Sequence, residues 1–355
     1  MDVAPFALER WFADHEPDAD VMLAESGIRA LRADRFDLDP GRLGYAIPTN
    51  GDPDLRAEIA ERSGRDPDEV LCTVGTQEAN FLAFAALLDA SSHAVVVTPT
   101  YQSLHAVPAA FGSVTRVPLS PPDWRLDPDD VAAAVRPETE LVVCNDPNNP
   151  TGRHHDRETL AALYDVAVDA DAYLLCDEVY RLLADDPRDP VASMGPHGLS
   201  TAGVSKAHGL AGCRFGWLVG DRAVVEAAWE WKDYTTISPS PLGQHVAAQA
   251  LGEREAAILE ENRALAARNR ERVAGFVERL GLDWHRPVGV NAFPTVPDGF
   301  ADGRAFCRRV VEEAGVVLAP GDAFGHPDRF RLGFGLPTAE LEEGLDRVER
   351  VVAGA

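Results

Sequence analysis

The sequence predicts an α/β protein, with a large domain whose mainly parallel sheet is sandwiched by helices and a smaller α+β domain. Three observations predict it. The chain has 355 residues, more than one ordinary core organises, so two packed domains are expected. Short apolar runs alternate with helical patterns through the middle of the chain, the signature of strands joined by helical crossovers. From about residue 258 that alternation gives way to a long, charged amphipathic helix followed by short strands and two more helices.

The strands read in order as HAVVVTP (93–99), ELVVCND (140–146), AYLLCDE (172–178), STAGVS (200–205) and FGWLVG (215–220). Each is short, apolar and bounded by polar or turn residues, as expected of strands buried on both faces. Helices are expected over 76–88, 156–170 and 221–234, each opening on a polar or acidic residue suited to a helix N-terminus. The later helices fall at 258–281, 303–315 and 338–354, with the Pro-Gly loop APGDAFGHPD between the last two. The expected division is an N-terminal arm with part of the small domain over 1–40, the large domain over 41–250 and the small domain over 251–355.

Hydrophobic residues make up 45% and charged residues 26%, the balance of a soluble globular chain, and no apolar run approaches bilayer length. The N-terminus lacks a basic region followed by an apolar block, so a cytoplasmic location is expected. A net charge of −25 argues against nucleic acid and anionic membranes as partners, leaving small molecules and a second copy of the chain. The five scattered cysteines lack C-x-x-C spacing, which argues for buried thiols over a disulfide framework or a metal site. Lys206 and Lys232 are the only lysines, against 58 acidic residues. Arginine-favouring codon usage would explain the missing lysines but not the acid excess, which points to a high-salt environment.

Three segments carry chemistry. NDPNNPTG (145–152) is a dense turn between a strand and a helix. AYLLCDEVY places Asp177 at the C-terminal end of an apolar strand, where α/β sheets present ligand-binding groups. STAGVSKAHGLAGCRFGWLVG (200–220) puts Lys206 just after another strand, with Arg214 eight residues on. A chain that has nearly eliminated lysine keeps this one in a Gly-rich, apolar stretch.

In this order, and with VGTQEAN (74–80) before and FRLGFG (330–335) after, the segments resemble the class I/II aminotransferases of pyridoxal-phosphate (PLP) fold type I over nearly the whole chain. The resemblance implies PLP as cofactor, held by Lys206 as a Schiff base, with the lysine amine later shuttling a proton at the substrate's α-carbon. It implies that Asp177 keeps the pyridine nitrogen protonated, and that Asn149 and Tyr180 bond the ring's phenolic oxygen. Gly75, Thr76 and Gln77, at a helix N-terminus, together with Ser205 and Arg214, would hold the phosphate. The position three before Lys206 is Gly203, where many relatives carry a phosphate-binding hydroxyl. Tyr101 matches the aromatic that stacks on the ring.

Arg331 matches the arginine that binds the substrate's α-carboxylate as a planar fork, assisted by Asn149 and by the backbone of Gly27. Neighbouring Arg329 is expected to face solvent. Tyr45 resembles the tyrosine that reaches the phosphate of a neighbouring subunit, with a spacing to Gly51 one residue longer than usual, which would make the enzyme a homodimer with shared sites. Trp11 and Phe12 fit either a core or an interface.

The resemblance implies amino transfer between an α-amino acid and a 2-oxo acid. A PLP lyase or cyclase stands as the alternative, because WKDYTTISPSP (231–241) and the stretch 320–345 look like the branch that includes capreomycidine synthases. A non-catalytic PLP-binding regulator is a third reading, disfavoured by the acidic charge and the lack of a basic helix-turn-helix.

Overall fold

The structure, a computed structural model, describes residues 3–354. Seven strands build the central sheet: β1 (Val70–Thr73), β2 (His93–Thr98), β3 (Ser113–Pro118), β4 (Thr139–Asn145), β5 (Tyr173–Asp177), β6 (Gly198–Gly203) and β7 (Gly216–Val219). Their spatial order is β1-β7-β6-β5-β4-β2-β3. Pairings β2·β3, β2·β4, β4·β5 and β5·β6 are parallel, whereas β7 runs antiparallel to both β1 and β6. The α/β class and mainly parallel sheet read from the sequence are what the chain adopts, and each of the five anticipated strands is present. Their centres are apolar and fully buried, as at Val95, Val142, Leu174 and Leu218.

Two strands, β1 and β3, lack a clear sequence signal. β1 is only four residues long and runs straight into the VGT turn. β3 lies on the sheet edge, and of its six residues only Val117 is buried, so it shows neither a continuous apolar run nor clean alternation.

Helices cover the sheet, and several start where the sequence places an acidic cap. The Asp156 carboxylate accepts from Thr159 N at 2.7 Å ahead of Arg157–Asp169. Asp221 caps Arg222–Lys232 and Asp302 caps Gly303–Ala314 in the same manner. The helix expected over 303–315 stops one residue sooner, because Gly315 takes the left-handed conformation at φ +63° that ends helices. The long helix spans Glu255–Arg279.

The C-terminal region adds a small antiparallel sheet in which Phe330–Gly333 lies between Ala319–Pro320 and Asn291–Ala292. The N-terminal arm joins it, since Val21–Met22 pairs in parallel with Val316–Val317. Trp11 belongs to the core: it is 4% exposed and its indole Nε1 donates to Leu318 O at 2.8 Å. Phe12 packs half-buried against the same core.

Candidate active site

The site lies at the C-terminal ends of the parallel strands, where backbone groups are released from the ladder and loops can present side chains. Asp177 ends β5 and is paired in register with Asn145 of β4 and Thr201 of β6. Its carboxylate accepts from Asn80 Nδ2 at 2.9 Å and from Val179 N at 3.2 Å. Burial pushes its pKa up to about 6, against the lowering effects of the Asn80 bond, the Val179 bond and Lys206. A buried carboxylate so short of countercharge suits a protonated ring nitrogen.

Lys206 follows β6. Its Nζ donates to Ser26 Oγ at 2.9 Å and lies 3.2 Å from Glu25 Oε1. Burial pulls the ammonium down, but the Tyr180 phenol and the Glu25 carboxylate outweigh that pull and leave its pKa above the ordinary value. The Lys206 ammonium in turn holds Glu25 below the usual carboxylate range. A Cβ on Gly27 would stand 3.1 Å from Glu25 Oε1 and 3.5 Å from Lys206 Cδ, so the Gly27 backbone borders the lysine tip directly.

Arg331 sits on the central strand of the small sheet, 1% exposed. One edge of its guanidinium is oriented by the protein: Nη1 donates to Asn149 Oδ1 at 3.0 Å and Nη2 to Ala24 O at 2.6 Å. Its Nε is buried without a partner, and no carboxylate pairs with it among the described residues. Tyr180 is buried, close enough to act electrostatically on both Lys206 and Arg331.

The anion cradle lies at the start of the helix Thr76–Leu87, whose first N–H groups have no carbonyl behind them. Gly75 stands at φ +81°, and a Cβ there would come within 2.5 Å of Arg214 Nη2, so the guanidinium closes over this turn. The Thr76 hydroxyl is buried and has no hydrogen-bond partner among the described residues. It also accounts for Gly203, because a Cβ at 203 would meet Thr76 Oγ1 and Phe215 O at 2.8 Å each. Arg214 Nη1 reaches Ser205 Oγ at 3.5 Å, and the Gln77 side chain turns away to accept from Ser103 Oγ at 3.0 Å. Lysine, strand-end acid, unpartnered hydroxyl and arginine-closed helix N-terminus together fit PLP.

Two residues stand outside this cluster or differently from expectation. Tyr45 is 76% exposed and lines a separate groove with Ile47, Gln244 and His245. Arg329 does not face solvent: it is 5% exposed, donates to Phe293 O at 3.0 Å and lies 5.1 Å above the Trp124 ring. Arg329 extends the strand of Arg331 through a bridge to Thr295, and Trp124, far earlier in the chain, roofs it.

Sequence reasoning missed Glu25, Ser26, Asn80 and Glu9. Glu9, on the helix Ala7–His15, accepts from Tyr101 OH at 2.5 Å, while Phe6 packs on the Tyr101 ring at 4.9 Å. Two signals were available: Glu25 stands two residues before Gly27, and Asn80 ends the VGTQEAN segment.

The fold and this lysine-centred site define an α/β enzyme that works through a bound aldehyde cofactor. The model of the class I and II aminotransferases matches residues 18–348, and the chain belongs to that PLP-dependent family. It is 36% identical to capreomycidine synthase of Streptomyces vinaceus, over 95% of this chain and 91% of that protein. It is 33% identical to the aspartate/prephenate aminotransferase of Thermus thermophilus, over 96% of this chain and 90% of that one. The crystal structure of a PLP-dependent aminotransferase from Streptococcus suis superposes with a TM-score of 0.92 at 27% identity, covering 100% of this chain and 99% of that one.

Proposed function

We propose that the protein is an aminotransferase that passes the amino group of an α-amino acid to a 2-oxo acid. The observation that carries this reading is Arg331, a buried guanidinium without a carboxylate partner among the described residues, oriented by Asn149 and electrostatically coupled to Lys206. A buried cation without an anion is costly, and an α-carboxylate is the planar partner its fork suits.

When bound, the cofactor supplies a ring that accepts negative charge from the α-carbon. Lys206 would hold it, and its amine, once released, would take the proton from the substrate's α-carbon and keep it for redelivery. Asp177 keeps a negative charge against the ring nitrogen, while Asn149 and Tyr180 donate to the ring oxygen. The Gly75–Gln77 turn, Ser205 and Arg214 bind the phosphate, and Tyr101 covers the ring. Gly27 leaves room for the substrate carboxylate beside its own backbone. Tyr45 completes the site of a partner subunit, a reading supported by the exposed apolar residues around it, Leu43 at 82% and Ile47 at 85%, and by Tyr234 at 87%.

Holoenzyme mixed with a single amino acid and no oxo acid tests this. One equivalent of 2-oxo acid per subunit, released with loss of the cofactor aldehyde, is the expected result. No oxo acid from any amino acid would overturn it.

A second reading, a lyase or cyclase on the same scaffold, is favoured by Glu25. A carboxylate 3.2 Å from the Lys206 amine is placed to keep that amine protonated, so that the amine can deliver a proton to a departing β-substituent. The likeness to capreomycidine synthase points the same way. Loss of a β-substituent without stoichiometric oxo acid would establish it.

A further inference from the structure

We propose that Asp146, clasped by His154, His155 and Arg188, is a positioning residue that sets where Asn149 stands in the active site. The inference rests on the reading of Asn149 as a donor to the cofactor's ring oxygen.

The Asp146 side chain is 3% exposed and its two oxygens meet four donor groups. Oδ2 faces His154 Nδ1 at 2.7 Å and accepts from Arg188 Nη1 at 3.1 Å. Oδ1 accepts from the His155 backbone N at 2.9 Å and faces His155 Nδ1 at 3.0 Å. The ring of His155 has one consistent tautomer. Its Nε2 accepts the Leu126 N–H at 3.2 Å, so Nδ1 carries the proton and donates to Asp146. The two histidine bonds, against the cost of burial, hold Asp146 well below the usual carboxylate range.

None of these four side chains reaches Lys206, Asp177 or Arg331 by a hydrogen bond or ion pair among the described residues. Asp146 and its neighbour Asn145, however, are bonded to both ring-facing residues, through the Asp146 backbone and the Asn145 side chain. Asp146 N donates to Asp177 O at 3.1 Å, and Asn145 Nδ2 donates to the same oxygen at 2.8 Å. Asn145 Oδ1 accepts from Asn149 N at 2.7 Å. The turn is then closed by Asn148 N donating to Arg153 O at 2.8 Å, just before the two histidines. The Asp146 clasp therefore pins both ends of the segment whose tip is Asn149. Arg188 extends the clasp to the neighbouring loop, where Arg181 Nη1 donates to Arg188 O at 2.6 Å. A turn needs one or two such bonds; a carboxylate buried under four donors fixes a position.

The consequence is readable in the bound cofactor. A donor aimed at the ring oxygen favours its ionised form, so displacing Asn149 raises the pH midpoint of the absorbance change of the Lys206-bound cofactor. The experiment titrates the visible absorbance of holoenzyme and measures PLP dissociation for wild type, N149A, D146N, H155N and H155Q. N149A serves as reference: an unmoved midpoint there would overturn the role of Asn149 itself. With N149A shifted, D146N is expected to move the midpoint in the same direction, by about half a pH unit or more, and to weaken PLP binding several-fold. H155N keeps a donor at the position of Nδ1 and should stay near wild type, whereas H155Q places its amide at the other ring position and should follow D146N. Should D146N fail to fold, the H155N and H155Q pair decides alone. A folded D146N with the wild-type midpoint, or equal shifts in H155N and H155Q, overturns the inference.

Discussion

Arg331 Nη1 donates to Asn149 Oδ1 at 3.0 Å, joining two residues 182 positions apart in the chain. The bond ties the small antiparallel sheet to the turn after β4, so the group proposed to bind the substrate carboxylate and a group proposed to bind the cofactor ring are oriented together. Because Nη2 is held by Ala24 O, the guanidinium enters the site with its direction already chosen.

That geometry predicts that R331K is not a conservative change. A lysine ammonium cannot reproduce a fork that bonds Asn149, Ala24 and a carboxylate at once. The expected result is a fall in kcat/KM for the amino acid of about 100-fold, roughly 2.7 kcal/mol, with PLP affinity nearly unchanged. Steady-state kinetics beside a cofactor-binding titration measure both.

Asp177 predicts a pH signature in the apoprotein. Burial raises its folded pKa to about 6, above the ordinary aspartate value of 3.8, so the folded chain binds more protons than the unfolded one between those values. Stability from this group is therefore present at low pH and lost as pH rises from about 4 to 6, on the order of 2–3 kcal/mol in all. Urea unfolding of apoprotein and of D177N across pH 4 to 7.5 isolates it, because other titrating groups, Glu178 included, are common to both. Wild type should lose stability relative to D177N as pH rises, and PLP should abolish that loss.

Lys232 is wholly buried and pairs with Glu78 Oε2 at 3.2 Å. Glu78 also accepts from Val74 N at 2.6 Å, Thr235 Oγ1 at 3.0 Å and Thr236 Oγ1 at 2.6 Å. K232M strands that carboxylate and is expected to cost about 3 kcal/mol, with K232M/E78Q costing less than the sum of the two single changes. Chemical denaturation of the four proteins gives the cycle.

Gly203 lies against Thr76 Oγ1 and the Phe215 carbonyl. G203S is expected to lose about 1–3 kcal/mol of stability and to bind PLP more weakly. Adding T76A to G203S should recover only part of the loss, since the Phe215 backbone contact at 2.8 Å remains. Thermal melts and PLP titration of both variants check this.

The contrast between Asp177 and Arg329 shows how much was legible beforehand. Asp177 could be singled out because it ends a five-residue strand whose preceding three residues are apolar and buried, a local pattern with a local cause. The burial of Arg329 is not legible in the sequence, because nothing near it announces Trp124, which lies some two hundred positions earlier. The central strands were legible from their continuous apolar runs, while β3 was not, because an edge strand buries too little to need one.

By itself, the sequence determined the α/β class, the place of Lys206 just after β6, and the motif positions of Asn149, Asp177 and Arg331. Motif and periodicity are properties of neighbouring residues, so they survive in a linear reading. Only the tertiary structure decided that Glu25 and Ser26 meet Lys206, that Asn80 steadies Asp177, that Thr76 fills the space beside Gly203, and that Asp146 is clasped by two histidines and Arg188. The Lys206 pairings join residues some 180 positions apart, and the Asp177–Asn80 pairing joins residues 97 apart. Even the Asp146 clasp, built partly from near neighbours, depends on a burial that strips away competing water, which sequence spacing does not record.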